Sequence, residues 1–280
     1  MSSRAVTFAC VLAAGAWLAG CTPAERRADR AGGQAPPAAP VLEAVRKQRT
    51  LDDCPEQLAP CASITLEYVE VTGGSAALRA AVRAFLDTTV FAPIDENDEE
   101  GGTAGADTLM QRFLDGYRDF MERYPEAPGA WSIRRSARPI WNDRGVLSLE
   151  YVEESYTGGA HPNTETKLVS FDAIDGHRLR PGDLFAAGHE QPLLAAGERA
   201  FRAAHGLGPG DDLDAAGFWF EDGRFSLSDN FAVTADGLRV HYNAYEVAPY
   251  AIGPTDLTLP RETLSEWARP DGPLAPRPPA

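Results

Sequence analysis

The chain has 280 residues, 44% of them hydrophobic, and a formal net charge of −15. The apolar share is ample for a globular core, while the charge argues against nucleic-acid binding, because phosphates demand basic patches. Residues 22–49 hold six Lys or Arg against three acids, which leaves 19 basic and 38 acidic residues from 50 onward. Such an acidic region attracts cationic partners, most strongly at low salt, and equally keeps an exported protein soluble.

Arg4 precedes an uncharged apolar run, Ala5 to Gly20, which is short of the ~20 residues that cross a bilayer. A signal peptide over 1–20 is therefore expected. The run closes on Leu18-Ala19-Gly20-Cys21, which resembles the bacterial lipobox, where cleavage precedes the cysteine and the cysteine is acylated. The resemblance implies lipidation at Cys21 and a chain exported to the cell envelope. Acyl chains would hold it to the membrane at ~0.8 kcal/mol per buried methylene. Thr22 in place of Asp then favours the outer membrane, facing the periplasm, if the cell has one. An ordinary signal peptide or an uncleaved anchor is the alternative.

Residues 21–49, with Ala31-Gly32-Gly33-Gln34-Ala35-Pro36-Pro37, are rich in Ala, Gly and Pro and are expected as a flexible tether. Beyond it Cys54 and Cys61 close an eight-residue loop. In an oxidising compartment this pair is expected as a disulfide, stabilising by ~2.5 kcal/mol. A metal site would need further cysteine or histidine ligands at useful spacing, which the surrounding sequence does not offer.

Elements then change in kind. A strand is expected in Ser63–Val71. Ser75 caps a helix with Leu78, Val82, Phe85 and Leu86 on one face. A second helix follows Asp107 and carries Leu109, Met110, Phe113, Leu114, Tyr117, Phe120, Met121 and Tyr124 until Pro125 stops it. The acidic run Asp95 to Gly102 lies between the two helices; an EF-hand would need glycine where Glu100 stands. From Trp131 the period becomes two, with strands in Gly145–Tyr156 and Thr166–Arg180, the latter turning at Asp175 and Gly176. A third helix is expected over roughly 191–205, ending at Gly206. A hairpin follows, Phe231 and Val233 against Leu238, Val240 and Tyr242, turning at Asp236-Gly237. The fold class is α+β: an antiparallel β-sheet with helices packed on one face, in two small subdomains over 50–130 and 131–265. Residues 266–280 are expected as a disordered tail.

No motif for covalent or metal-dependent catalysis is present. There is no G-x-S-x-G elbow, His189-Glu190 lacks the second histidine of a zincin, and Gly158-Gly159 is not followed by the Lys and Ser or Thr of a phosphate loop. His161, His177, His189, His205 and His241 are scattered without ligand spacing. No catalytic residue, metal or cofactor is expected.

The stretch Glu154-Ser-Tyr156-Thr-Gly158-Gly159-Ala-His161-Pro162 admits two readings. Glycines free to take φ > 0 and a proline that extends the residue before it explain a sharp turn by geometry alone. Alternatively Tyr156, Gly158, Gly159 and His161 converge with His241, Tyr242, Asn243 and Tyr245 into a shallow polar and aromatic surface that binds protein or glycan.

The stretch Ser155–Thr164, the segment Asp172–Phe185, and above all Tyr242-Asn-Ala-Tyr245-Glu-Val-Ala-Pro-Tyr250-Ala-Ile-Gly-Pro254 resemble the extracytoplasmic domain shared by RsiV-like anti-sigma factors and exported peptidoglycan deacetylases, domain-of-unknown-function family 3298. The resemblance runs over about Trp131 to Pro260, and more faintly over 62–125 for a companion domain. It implies a non-catalytic sensor-like module whose ligand is a lysozyme-like cationic protein or peptidoglycan. A cell-wall hydrolase, a deacetylase-associated accessory and a structural envelope lipoprotein are the alternatives.

Overall fold

The computed structural model describes residues 38–53, 61–94, 105–126 and 129–276. Cys21, Cys54 with its expected pairing to Cys61, the apolar N-terminal run and the acidic run Asp95–Gly102 lie outside them. Among the described residues, eight strands form two sheets. No described helix is long and apolar enough to cross a membrane.

The first sheet has the order β1-β2-β3-β4-β5, with β1 at Leu42–Leu51, β2 at Ala62–Val71, β3 at Trp131–Asp143, β4 at Val146–Tyr156 and β5 at Asn163–Asp172. Helices α1 (Ala76–Asp87) and α2 (Ala106–Arg123) lie between β2 and β3 in the chain. They supply the long crossover that a parallel pair requires, and β2 and β3 are parallel while the other neighbours are antiparallel. The sheet is therefore mixed, where a purely antiparallel one was expected. It also joins strands from both sides of the expected 130/131 boundary. Strand β1 begins inside the stretch expected as tether, with residues 42–49 in both; its Lys47 Nζ reaches Asp107 of α2 at 2.9 Å, and Arg49 donates to Gln111 at 3.0 Å.

Ser75 caps α1 by accepting from the Leu78 amide at 3.0 Å, and Leu78, Val82 and Leu86 are buried. Each such side chain contributes roughly 1.5–3 kcal/mol by leaving water. Helix α2 buries Leu109, Met110, Phe113, Leu114 and Tyr117, and Trp131 packs against Phe113, Tyr117 and Phe120. This aromatic stripe is core, as its helical spacing predicts.

Strand β4 is buried on both faces over Val146 to Tyr151. Leu147, Leu149 and Tyr151 join the α1 and α2 core, whereas Val146 joins a second core. That core belongs to α3 (Pro181–Leu184), α4 (Glu190–Ala204), β6 (Phe231–Val233), β7 (Gly237–Tyr242), β8 (Thr255–Pro260) and α5 (Arg261–Leu264). The expected hairpin is present: Phe231 pairs with Val240 and Val233 with Leu238. Ser148 and Ser170 stitch the sheets together. Ser148 Oγ donates to the Val233 carbonyl at 2.7 Å, and Ser170 Oγ accepts from the Val233 amide at 2.9 Å. Phe201 of α4, fully buried, sits within 4.9–5.7 Å of Phe218, Phe220, Phe225 and Tyr242.

Residues 266–276, placed by the sequence in a disordered tail, are packed. Leu274 is fully buried, Arg261 Nη1 donates to the Pro273 carbonyl at 2.6 Å, and Arg144 Nη1 donates to that of Ala275 at 2.9 Å. Two arginines thus take up carbonyls of a proline-rich segment whose backbone also pairs with the end of α3, the Arg269 amide donating to the Leu184 carbonyl at 3.0 Å and the Ala186 amide to that of Trp267 at 2.9 Å.

His205, at the C-terminal end of α4, lies against Phe201 and Phe218 with Nε2 3.0 Å from Thr255 Oγ1. Burial lowers its pKa from the ordinary histidine value. As pH falls through ~6.5, the unfolded chain takes up a proton that folded His205 resists, so stability present above that pH is lost below it. His205→Gln is expected to flatten the dependence of melting temperature on pH between about pH 7 and pH 5.

Candidate functional site

At the turn of the β4–β5 hairpin, Gly158 and Gly159 hold φ of 101° and 106°. A Cβ at either would meet nothing within 4 Å, so dihedral freedom alone calls for glycine here. The Tyr156 hydroxyl closes the turn by donating to the Gly159 carbonyl at 3.1 Å. His161 then projects and stacks on Tyr250, ring centroids 3.8 Å apart and planes 16° from parallel. The Pro162 carbonyl fixes the pair: it accepts from the Tyr250 hydroxyl at 3.2 Å and lies 2.9 Å from His161 Nδ1.

Tyr250 belongs to the β7–β8 connection, 243–254. Asn243 ties this loop to β5, its side chain accepting from the Thr166 amide at 2.7 Å and donating to the Thr166 carbonyl at 3.1 Å. Glu246 takes the Asn243 amide at 2.8 Å and the Ser228 hydroxyl at 3.1 Å. Tyr245, held at φ 66° and 54% exposed, brings its ring to 5.6 Å from Tyr250. Trp219, 49% exposed, donates its indole N–H to the Glu246 carbonyl at 3.2 Å. Ile252 is also exposed and closes a turn on the Pro249 carbonyl at 2.9 Å. Three of the six large exposed hydrophobic side chains among the described residues, Trp219, Tyr245 and Ile252, thus belong to this one connection or the segment bonded to it.

The expected convergence is met in part. Tyr156, Gly158, Gly159 and His161 form the hairpin end, and Tyr245 joins His161 through Tyr250. His241 and Tyr242 are not at this surface: they are 3% and 1% exposed. The Tyr242 hydroxyl donates to the Ser226 carbonyl at 2.7 Å and accepts from the Ser228 amide at 3.2 Å, and burial pushes its pKa up. His241 Nδ1 lies 3.2 Å from Asp256 Oδ1. Burial works to raise the Asp256 pKa, yet the His241 ring and the Arg239 guanidinium override it and hold it at about 2. Asn243 acts as the stitch described above. Tyr250, Trp219 and Ile252 complete the surface; of these, Tyr250 and Ile252 sit inside the 242–254 pattern that carried the resemblance.

Asp172, Asp175 and His177 bring possible metal-ligand atoms within 4.8 Å of one another. Their oxygens are engaged in the turn after β5. Asp172 Oδ1 accepts from the Ile174 amide at 2.8 Å, and Asp175 Oδ1 accepts from the His177 amide at 3.1 Å with His177 Nδ1 2.7 Å away.

Residues 182–262, which run from α3 into α5 and include Trp219, Tyr245, Tyr250 and Ile252, match the DUF3298 family model, described as a protein of unknown function. That span is narrower than the 131–260 expected from sequence. The fold extends further. A DUF3298 family protein from Pseudomonas aeruginosa superposes with a TM-score of 0.61 at 18% identity, over 85% of this chain and 98% of that one. A member of the same family from Bacteroides fragilis gives 0.62 at 18%, over 84% and 96%. Comparison with curated proteins gives no match.

Proposed function

We propose that this protein is a non-catalytic binding module of the cell envelope, tethered through Cys21, whose ligand contacts the aromatic end formed by His161, Tyr245, Tyr250 and Trp219. The observation that carries the reading is the pre-set stack of His161 on Tyr250, with Tyr245 beside it, on loops fixed by hydrogen bonds. Rigid, part-exposed aromatic rings lose little entropy on binding and make good anchors. His161 is held as a contact surface, with one ring face on Tyr250 and Nδ1 at the Pro162 carbonyl. The acidic balance from residue 50 onward favours a cationic protein ligand of the lysozyme kind through electrostatic steering. Peptidoglycan is the second reading, favoured by tyrosine and tryptophan faces that can stack on sugar rings.

Calorimetric titration of the chain lacking residues 1–21 with hen lysozyme tests this, with an equally basic unrelated protein as control. Micromolar or tighter binding to lysozyme alone is expected. Tyr250→Ala is expected to weaken it by about 2 kcal/mol, roughly 30-fold, as a central aromatic anchor does. Equal binding of both proteins would reduce the acidic surface to a solubility device, and no binding would turn the search to peptidoglycan fragments.

A further inference from the structure

At the aromatic end most polar ring atoms are spent inside the fold. The Tyr156 hydroxyl donates to the Gly159 carbonyl, the Tyr250 hydroxyl to that of Pro162 and the Trp219 indole N–H to that of Glu246. His161 spends only one of its two nitrogens. Its Nδ1 lies 2.9 Å from the Pro162 carbonyl, an oxygen that can only accept, so the proton of the neutral ring sits on Nδ1 and Nε2 carries a lone pair. The residue is exposed, and among the described residues Nε2 has no hydrogen-bond partner. The stack on Tyr250, with planes 16° from parallel, and the bond to Pro162 together fix the plane of the imidazole and hence the direction of that lone pair.

We propose that His161 Nε2 accepts from a lysine or arginine N–H of the ligand, which makes His161 a specificity-determining residue of the aromatic end. The inference rests on the binding reading above and names the ligand group that the site takes. A neutral imidazole nitrogen accepts from an ammonium or guanidinium and has nothing to offer a carboxylate, which brings no proton. The acidic balance from residue 50 onward favours a cation over a neutral donor. Protonation reverses the preference, because both ring nitrogens then donate and the ring itself is positive. The groups around the imidazole do not hold it in either state. Tyr250 is the titratable side chain packed on the ring, and on the facing connection the Glu246 carboxylate is taken by the Asn243 amide and the Ser228 hydroxyl. On the hairpin itself Glu154 stands opposite Thr164, and Glu165, opposite Glu153, pairs with Lys167. Among the described residues no charged side chain bonds to the imidazole.

Proton–nitrogen correlation NMR of the full chain in detergent, with isotope-labelled histidine, tests the assignment, the His161→Phe spectrum identifying the signal. The neutral ring is expected as the Nδ1-protonated tautomer. Hen lysozyme, added at mildly alkaline pH, is expected to move the bare Nε2 resonance upfield, as an accepted hydrogen bond does. Phenylalanine keeps a ring on Tyr250 but offers no acceptor. His161→Phe is therefore expected to bind lysozyme about tenfold more weakly at unchanged melting temperature, and to lose the weakening that wild type shows as the ring takes up its second proton. If the melting temperature falls, the wild-type Nε2 resonance alone decides. An Nε2-protonated tautomer, an Nε2 resonance unmoved at saturating lysozyme, or wild-type affinity in His161→Phe would overturn this proposal and leave the binding reading standing. Failure of the wild-type chain to bind lysozyme would overturn both. A soluble peptidoglycan fragment that moves Nε2 where lysozyme does not would assign the donor to a sugar hydroxyl and overturn the cation.

Discussion

Gly237→Ala is expected to cost about 3 kcal/mol and to lower the midpoint of urea unfolding with little change in its slope. Gly237 holds φ 145°, and a Cβ there would lie 2.1 Å from the Leu259 carbonyl oxygen and 2.7 Å from the Arg261 amide nitrogen. Both obstacles are backbone, so no side chain can swing aside. Relief requires β7 and β8 to part at their Gly237–Pro260 pair. Parting there disturbs the bond from the Arg261 amide to the Asp236 carbonyl at 2.7 Å, and that from the Thr234 amide to the Gly237 carbonyl at 2.8 Å. Gly158→Ala is the matched control. Its φ is also positive, but its added methyl meets nothing within 4 Å, so a loss of only about 1 kcal/mol is expected from the dihedral. Equal losses at the two positions would mean that the close approach of β8 contributes nothing.

The helices and the β6–β7 hairpin are legible in the sequence because their signals are local. Ser75 and Pro125 mark ends, and apolar residues three and four apart mark faces. Sheet order is not local. The parallel alignment of Ile64 with Ile133 brings together residues nearly seventy positions apart, and no turn fixes it. Strand β1 is hidden for a different reason. Its Arg46, Lys47 and Arg49 read as solvated charge beside a proline-rich stretch, yet Lys47 and Arg49 reach α2 and Arg46 reaches Glu67. The packed segment 266–276 is missed because groups far from it in sequence, Arg144 and the backbone of Leu184 and Ala186, supply partners that its composition does not announce.

The candidate site shows the same division. Gly158, Gly159 and Pro162 announce a turn, and His161 is exposed at its end as read. Alternation along β7 separates His241 and Asn243 from Val240 and Tyr242 correctly, but a period of two says nothing about what covers each face. Tyr242 turns into the phenylalanine cluster around Phe201, and His241 faces Asp256. Tyr250 has no periodic signature at all. It is placed by a connection without strand or helix, and its pairing with His161 spans 89 positions of sequence.

Arg135→Ala is expected to lose about 3–5 kcal/mol, the usual cost of breaking a buried ion pair on one side. The Arg135 side chain is 5% exposed. Its Nε donates to Glu153 Oε2 at 2.6 Å, and Nη1 donates to the carbonyls of Val90, at 3.3 Å, and of Ala92. One side chain thus neutralises a part-buried carboxylate and anchors the turn that follows α1 to β3. Truncation leaves Glu153, which also accepts from the Tyr151 hydroxyl at 3.0 Å, without its cation, and strands two carbonyls whose desolvation is no longer repaid. The double variant Arg135→Met, Glu153→Leu separates the pair from the anchor. It removes both charges, so the electrostatic part of the loss returns, while the Val90 and Ala92 carbonyls stay unmatched. Urea unfolding should place it between wild type and Arg135→Ala. A double variant as unstable as the single one would assign the whole effect to the turn after α1, and one as stable as wild type would assign it to the uncompensated carboxylate.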